Sequence, residues 1–516
     1  MLPTRTARVA PAQRRRAGDQ ARVAGTAILW VALWAAILSG PGLAAGLEDL
    51  SGCGARLATD DFRGAAACFE QVLAGADSLL AGESHLGAAI AAYREALFLG
   101  LVYAAALDVQ RDYYAALEPV LAPAEIGRIR YGAARVAYLA GDYLQAEERF
   151  AQAVELLADR PAEARLAQLG LEACRVHRGV GPVPMGAWEA LVAGGEDPRI
   201  CLAAAEYALD FSPAAPRIRE ALAVRREHWD ALSREGAVAD LLRAAADGGE
   251  RAVLHDALLG LPYGMTTLGG PGQISRQIGL FDPGPLRLAR RMLLAQAREH
   301  ARLALERRAP ASRMGREEIC LHLCRILHEI GALDETTRCV ADTSEMRLWP
   351  CRVLAAYGAG RIGAARDLWQ VCALRGPMAV QMEMVSLSAE AGVFPEEAAA
   401  LSDRMIAAAA ADQPRLPAEL CETAGRVAAA RRDYVAAESW FRKARAEETR
   451  AAGPSPLLIL RHALARYRRD RDGVGFVLED LRALERRYAY LRQVAEPLEI
   501  VYASLIRDIG RDPISR

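Results

Sequence analysis

One short phrase recurs along this 516-residue chain and restricts its fold more than any other feature. In its clearest copy Tyr138, Gly141, Asp142 and Tyr143 are followed by Ala146, Phe150 and Ala153. Gly141 predicts a tight turn between two helices, and spacings of four and three put the last three residues on one helical face. A small-large-small face is a packing pattern: the alanines let a neighbouring helix approach, and the aromatic ring fills the space between successive hairpins. The phrase returns at Asp60, Asp61 and Phe62 before Ala65, Phe69 and Val72, and at Arg432, Asp433 and Tyr434 before Ala437, Phe441 and Ala444. In a further copy Gly360, Arg361 and Ile362 precede Ala365, Trp369 and Cys372, with Tyr357 ahead of the turn as Tyr138 is ahead of Gly141. Looser copies begin at Arg111, Asp112 and Tyr113, with Ala116, and at Gly331, Ala332 and Leu333, with Thr336. Adjacent copies lie about 30 residues apart, the length of one helix hairpin.

The pattern resembles the tetratricopeptide repeat (TPR), a helix-turn-helix unit of about 34 residues. Leu169-Gly170 is similar to the Leu-Gly pair of that family's first helix. The match is good around Gly141 and Ala437 and fainter around Ala65 and Ala365, and recognisable copies cover about half of the chain. The resemblance implies an all-α fold, an α-solenoid of stacked antiparallel helix hairpins. It also implies a concave groove that binds peptides or protein surfaces, with no catalysis and no cofactor. Composition agrees with helices: the apolar residues, 52% of the chain, are rich in alanine, and only 6% of residues are aromatic. Sixty-four basic residues against 65 acidic ones leave a net charge of -1, which gives no global reason to bind nucleic acid.

Breaks in the pattern divide the chain. Residues 46–180 read as N-terminal TPR-like repeats, ended by two glycines and two prolines between Gly179 and Pro184. Residues 181–310 read as an irregular helical middle, with helices resuming around Trp188 and Trp229 and a Gly/Pro-rich loop at 260–285. Pro285 then opens a helix to about Arg308, since proline is accommodated in a helix's first turn. Residues 311–516 read as C-terminal TPR-like repeats.

Residues 1–45 read as a signal peptide or N-terminal membrane anchor. Six arginines and one acid occupy the first 22 positions, and residues 23–47 carry no charge. The dense apolar part, Ala27 to Leu38, is short for a span, and Gly40-Pro41-Gly42 breaks its helix before Ala44 and Ala45, the layout of a secretory signal. An uncleaved anchor competes with this reading, because 25 uncharged residues span a bilayer with some tilt. Either way the body is expected outside the cytoplasm. Leu50-Ser51-Gly52-Cys53 has the letters of a lipoprotein processing site, but Glu48 and Asp49 interrupt the interval that such signals keep uncharged. The ten cysteines show no paired C-x-x-C spacing, and their even number is compatible with bridges.

The sharpest metal-ligand candidates are Cys320, Cys324 and His328, which share one side of a helix. The repeat offers a simpler account, since His328 falls where Tyr138 and Tyr357 fall before their turns; a disulfide from this helix to Cys339 on the following one is a third reading. No metal is therefore expected. The Gly269 loop lacks the Gly-Lys-Ser/Thr of a phosphate cradle and reads as a connector. The Leu286–Arg308 helix holds seven arginines against Glu299 and Glu306. It reads as a solvated face, with an anionic membrane or acidic partner as the sharper alternative, testable through Arg290, Arg291 and Arg298. Glu83-Ser84-His85 is suggestive only out of context: the Glu-Ser pair of lytic transglycosylases lies in a catalytic domain that follows their helical superhelix. No zincin, nucleophile-elbow or haem motif is present.

The expected function is therefore a non-catalytic protein-interaction scaffold of the cell envelope, in a secretion, pilus or polysaccharide-export assembly, with protein partners and no nucleic acid. The alternative is an envelope enzyme or enzyme subunit acting on cell-wall or polysaccharide material. A deep pocket with paired acids between residues 185 and 310 would favour that second reading.

Overall fold

The computed structural model describes residues 41–59, 61–75, 81–120, 123–194, 198–211, 283–307, 316–330, 332, 335–336, 340, 345–413, 415–451, 454–470 and 473–509. The basic N-terminal flank, the apolar run to residue 40, Trp229, the Gly269 loop, Gly331, Leu333 and Cys339 lie outside them. The described residues form helices and turns, with no strand among them. In order they are α1 (Pro41–Ala58), α2 (Phe62–Gly75), α3 (Ala81–Leu117), α4 (Pro123–Leu139), α5 (Tyr143–Leu156), α6 (Pro161–His177), α7 (Met185–Gly194), α8 (Pro198–Phe211), α9 (Gly284–Glu306) and α10 (Arg316–Ile330). There follow α11 (Trp349–Gly358), α12 (Ile362–Arg375), α13 (Met378–Ala391), α14 (Pro395–Asp412), α15 (Ala418–Ala430), α16 (Tyr434–Ala451), α17 (Pro456–Arg469), α18 (Val474–Glu485) and α19 (Arg492–Ile509). The fold is all-α and built from TPR-like helix hairpins.

The chain forms two compact units, residues 1–92 with 299–319 and residues 93–298 with 320–516. Within the second unit one hydrophobic core runs from Ala134 through Phe150, Leu166 and Trp188 to Ala208.

In the first unit α1 and α2 make a hairpin. Asp61 Oδ1 accepts the Gly64 amide at 3.2 Å and caps α2. Ala65, Phe69 and Val72 bury against Ala88 and Ala91 of α3, and a Cβ on Gly87 would lie 2.4 Å from the Phe69 ring. A disulfide joins Cys53 on α1 to Cys68 on α2. Cys53 is fully buried, mid-helix, with its sulfur already bonded, so the lipidation reading fails: the thioether of a lipoprotein needs that sulfur. Ala44 and Ala45, expected to end an export segment, lie within α1.

The second unit repeats the phrase. Asp142 precedes α5 and its carboxylate accepts the Gln145 amide at 3.1 Å; Asp433 does the same for Ala436 ahead of α16 at 3.0 Å. The turn residues Gly141 and Gly360 have φ of 85° and 73°, a left-handed region open to glycine. Ala146, Phe150 and Ala153 are buried, as are Ala365, Trp369 and Cys372, and Ala437, Phe441 and Ala444. A Cβ on Gly170 would sit 2.3 Å from the Phe150 ring, so that pair lets α5 and α6 come close. Ion pairs link hairpin to hairpin at about one repeat's separation: Arg128 with Glu163 and Arg445 with Asp480, both 35 residues apart, and Arg426 with Glu390, 36 apart. Partly exposed pairs of this kind contribute about 1 kcal/mol or less each and set register more than stability.

One element departs from the repeat. The expected looser copy at Arg111, Asp112, Tyr113 and Ala116 contains no turn, because all four lie inside the 37-residue α3. Phe98, Leu99, Val102, Ala106, Val109 and Tyr113 are all buried. By length and composition alone α3 could cross a membrane, yet here these side chains are packed within the protein. Phe98 meets Tyr488 at 4.7 Å, Gln110 donates to the Gln493 carbonyl at 3.3 Å, and Tyr113, Tyr114 and Leu117 pack with Ile129, Val136, Ile500 and Val501. The 93–117 part of α3 thus runs through the second unit as a central post.

Candidate functional site

The 93–117 part of α3 packs against hairpins of the second unit and occupies part of the space between them. What remains is a cleft along α3 from Leu97 to Glu118, about 30 Å long at 1.5 Å per residue. It consists of three cavities of about 410, 490 and 570 Å³, all lined by Arg468. One wall comes from α4 and α5, through Ile129, Val136, Gln145 and Arg149; the other comes from α15, α16 and α17, through Arg426, Tyr434 and Leu464.

The seams of this cleft are tied by charge. Arg468 Nε donates to Asp108 at 2.7 Å, and the Tyr467 hydroxyl donates to the buried Asp112 at 2.5 Å, pinning α17 to α3. Arg130 pairs with Glu118, Arg290 with Glu329, and Arg461 with Glu422. Burial, then the neighbouring Arg461, pulls the Arg426 guanidinium down to about 9 despite its contact with Glu390. Arginine keeps its charge in proteins, so the direction marks a cation that the local carboxylates do not fully compensate.

Three arginines of the cleft are not used in this way. Among the described residues, the Arg149 and Arg432 side chains make no hydrogen bond or ion pair. Arg111 stands 3.7 Å from Asp108 and 3.9 Å from Asp112, beyond hydrogen-bond distance, with most of its side chain exposed.

A second polar cluster lies where α4, α8 and α9 meet. Arg135 donates to Glu206 at 2.6 Å, with side chains only 3% and 6% exposed, and Arg287 makes two bonds to Asp210 at 2.7 and 3.0 Å. The Tyr138 hydroxyl donates to Asp210 at 2.8 Å, and burial, reinforced by the Asp210 charge, pushes its pKa up. Gly284 lets α9 approach closely, since a Cβ there would fall 2.3 Å from an Arg135 nitrogen and displace the Arg135–Glu206 pair. Glu206 and Asp210 are the paired acids between 185 and 310 that an enzyme reading would need. Their carboxylates are instead held by Arg135, Arg287 and Arg291, which leaves them ill suited to move protons.

The other candidates resolve as follows. Cys320 and Cys324 are buried on α10, and no three potential metal ligands cluster among the described residues. His328 is partly buried, and burial lowers its pKa. Glu83, Ser84 and His85 lie in the first turns of α3, and His85 Nδ1 is 3.0 Å from His300 Nδ1. The arginines of α9 mostly enter ion pairs: Arg287 and Arg291 with Asp210, Arg290 with Glu329, Arg298 with Glu335 and Arg302 with Glu299. These pairs tie the helix to α8, α10 and Glu335. Thr336, in the faint copy after Gly331, is buried, and its amide donates to Ala332. The long α3, the capping role of the aspartates and the cleft arginines were not legible in the sequence; the one signal for the last was an arginine at 432 where the copies at 141 and 360 carry glycine.

No protein-family model matches this chain, and no curated protein matches it. Among solved structures it is similar to the APC/C hetero-tetramer Cut9-Hcn1, at 14% identity over 89% of this chain and 85% of that one, with a TM-score of 0.28. It is also similar to the TPR domain of P58(IPK), at 12% identity over 83% of this chain and 99% of that one, with a TM-score of 0.18. At scores this low neither likeness bears on function, and the fold rests on the hairpins described above.

Proposed function

We propose that this chain is a non-catalytic protein-interaction scaffold exported to the cell envelope, where it serves an assembly such as a secretion, pilus or polysaccharide-export complex. The observation that carries the binding role is the cleft along α3: it is long, part apolar, and lined in part by Arg149 and Arg432, whose guanidinium groups make no hydrogen bond or ion pair among the described residues. Its shape suits a segment of another protein better than a small substrate, which calls for an enclosed pocket with converging polar groups. Two features support export. The N-terminal 47 residues have the order of an export signal or anchor, and a disulfide such as Cys53–Cys68 is of a kind that persists in oxidising compartments.

Site-specific photo-crosslinking in cells tests the binding role. A crosslinking residue at Ala115 or Tyr434 should capture a discrete partner protein, and capture only from outer-surface control positions would refute it. Export is tested by mapping the thiols: a Cys53–Cys68 linked peptide is expected from cell extracts quenched with alkylating agent, whereas two alkylated thiols would count against it.

A further inference from the structure

Resting on the scaffold reading above, we infer that the cleft along α3 takes an extended acidic segment of a partner protein, with Arg111, Arg149 and Arg432 as the groups that meet its carboxylates. The three arginines come from three different elements, α3, α5 and the turn before α16. All line cavities that share Arg468, and none is hydrogen-bonded within the described chain. Arg149 and Arg432 offer donors with no internal bond to break, and Arg111 offers one held only by long ion pairs to Asp108 and Asp112.

Arg432 adds an independent observation. It occupies the position that Gly141 and Gly360 hold in their hairpins, and its φ is 61°, in the left-handed region that disfavours any residue with a Cβ. Glycine would relieve that conformation, and among the described residues the arginine's guanidinium has no hydrogen-bond or ion-pair partner that would offset it. Strain of this kind persists where it serves a purpose beyond folding, and here the strained residue lines the 570 Å³ cavity beside Tyr434 and Tyr467.

The occupant is a peptide rather than another polyanion because the charge is interleaved with apolar surface. Ile129, Val136 and Leu107 line the same stretch as Arg111 and Arg149, and Leu464 and Phe441 lie further along. A chain of alternating acidic and aliphatic side chains satisfies both, and about ten extended residues reach the length of the cleft. A uniformly charged polysaccharide leaves the apolar surface unmet.

The test uses the full chain and a fluorescent peptide of about ten residues rich in Glu and Leu, with a Gln-for-Glu counterpart, read by anisotropy. The acidic peptide should bind at least ~10-fold more tightly than its neutral counterpart, and more weakly as salt is raised. The combined change Arg111→Gln, Arg149→Gln and Arg432→Gln should cost at least ~10-fold in affinity with thermal stability retained. Arg432→Gly alone should weaken binding while leaving Tm equal or higher, which a structural role for that arginine would not allow. Equal binding of the neutral peptide, unaltered binding by the triple variant, or competition by a heparin oligosaccharide on equal terms would overturn the assignment. Should the peptide fail while crosslinks from Ala115 or Tyr434 still capture a protein, the acidic assignment falls and the scaffold reading stands. Failure of both removes both.

Discussion

The hairpin α4/α5 and the hairpin α15/α16 are the two best copies of the repeat, and they agree in nearly every hydrogen bond of their turns. The Asp142 amide donates to the Ala137 carbonyl at 2.9 Å, and Asp433 to Ala428 at 2.9 Å. Each aspartate then caps the following helix, and each buries an alanine, a phenylalanine and an alanine on its inner face. Two of the positions at which they differ bear on what surrounds them. Where the first has Tyr138, bonded to Asp210 in the buried charge cluster, the second has Ala429; where the first turns on Gly141, the second turns on Arg432. The shared residues are those that packing and capping require. The differing ones have local surroundings: Tyr138 ties α4 to α8 through Asp210, and Arg432 lines the cleft.

The largest expected effect tests the shared part. Phe150→Ala and Phe441→Ala each remove a fully buried ring and should cost about 3–5 kcal/mol in denaturant unfolding. Leu144→Ala and Val435→Ala, at matched exposed positions one residue into each second helix, should stay within about 0.5 kcal/mol. A small cost for Phe441→Ala alone would break the equivalence of the two hairpins. Next come the caps: Asp142→Ala and Asp433→Ala should each cost about 1 kcal/mol, and a cost confined to one copy would mean that the other cap bond is not formed in solution.

The residues that made the hairpins legible are those whose partners lie within one repeat. Ala146, Phe150 and Ala153 announce a helical face by spacing alone, and Gly141 announces a turn because only a left-handed residue closes it. The α3 post was hidden for the opposite reason. It is apolar on most sides, so no single face stands out, and Arg111-Asp112-Tyr113 imitates the phrase that elsewhere marks a turn. Its true role depends on Gln493, Tyr467 and Tyr488, more than 350 residues away in the chain. The Arg135–Glu206 pair and the Cys53–Cys68 bridge were hidden likewise: residue type permits such pairings, but only the fold selects the partner. The candidate site fared worst, since a cleft is defined by what the fold leaves unpaired, and spacing carries no record of that.

A smaller effect probes the difference at the turn. A left-handed arginine costs about 1–2 kcal/mol relative to a relaxed backbone, while glycine returns about 0.5–1 kcal/mol of that through the greater freedom it loses on folding. Arg432→Gly should therefore stabilise by about 0.5 kcal/mol, and Gly141→Ala should destabilise by a similar amount. If Arg432→Gly destabilises instead, the arginine holds the turn, and its part in the cleft is secondary.

The smallest effect concerns pH and separates the surroundings of the two hairpins. His177 stacks on Tyr143 at 4.0 Å and lies 3.1 Å from the Tyr138 hydroxyl; His462 lies 3.3 Å from the Glu438 carboxylate. Burial is the main cause lowering both pKa values in the folded state. For such groups the unfolded chain takes up protons first, so their stability is fully present above about pH 6.5 and is lost as pH falls through the lower folded value. Glu496 runs the other way: burial raises it to about 7, and its contribution fades as pH rises through that value. Comparing variants with wild type cancels this background. His177→Phe keeps the stacked ring and should lessen the drop in Tm between pH 7.5 and 5. His462→Phe should lessen it by a smaller amount, because Glu438 bonds directly to His462 and already favours its charged form, whereas Asp210 beside His177 is engaged by Arg287 and Arg291. A larger rescue at His462 would show that the carboxylate beside it does less than burial, and that the second hairpin is the acid-sensitive one.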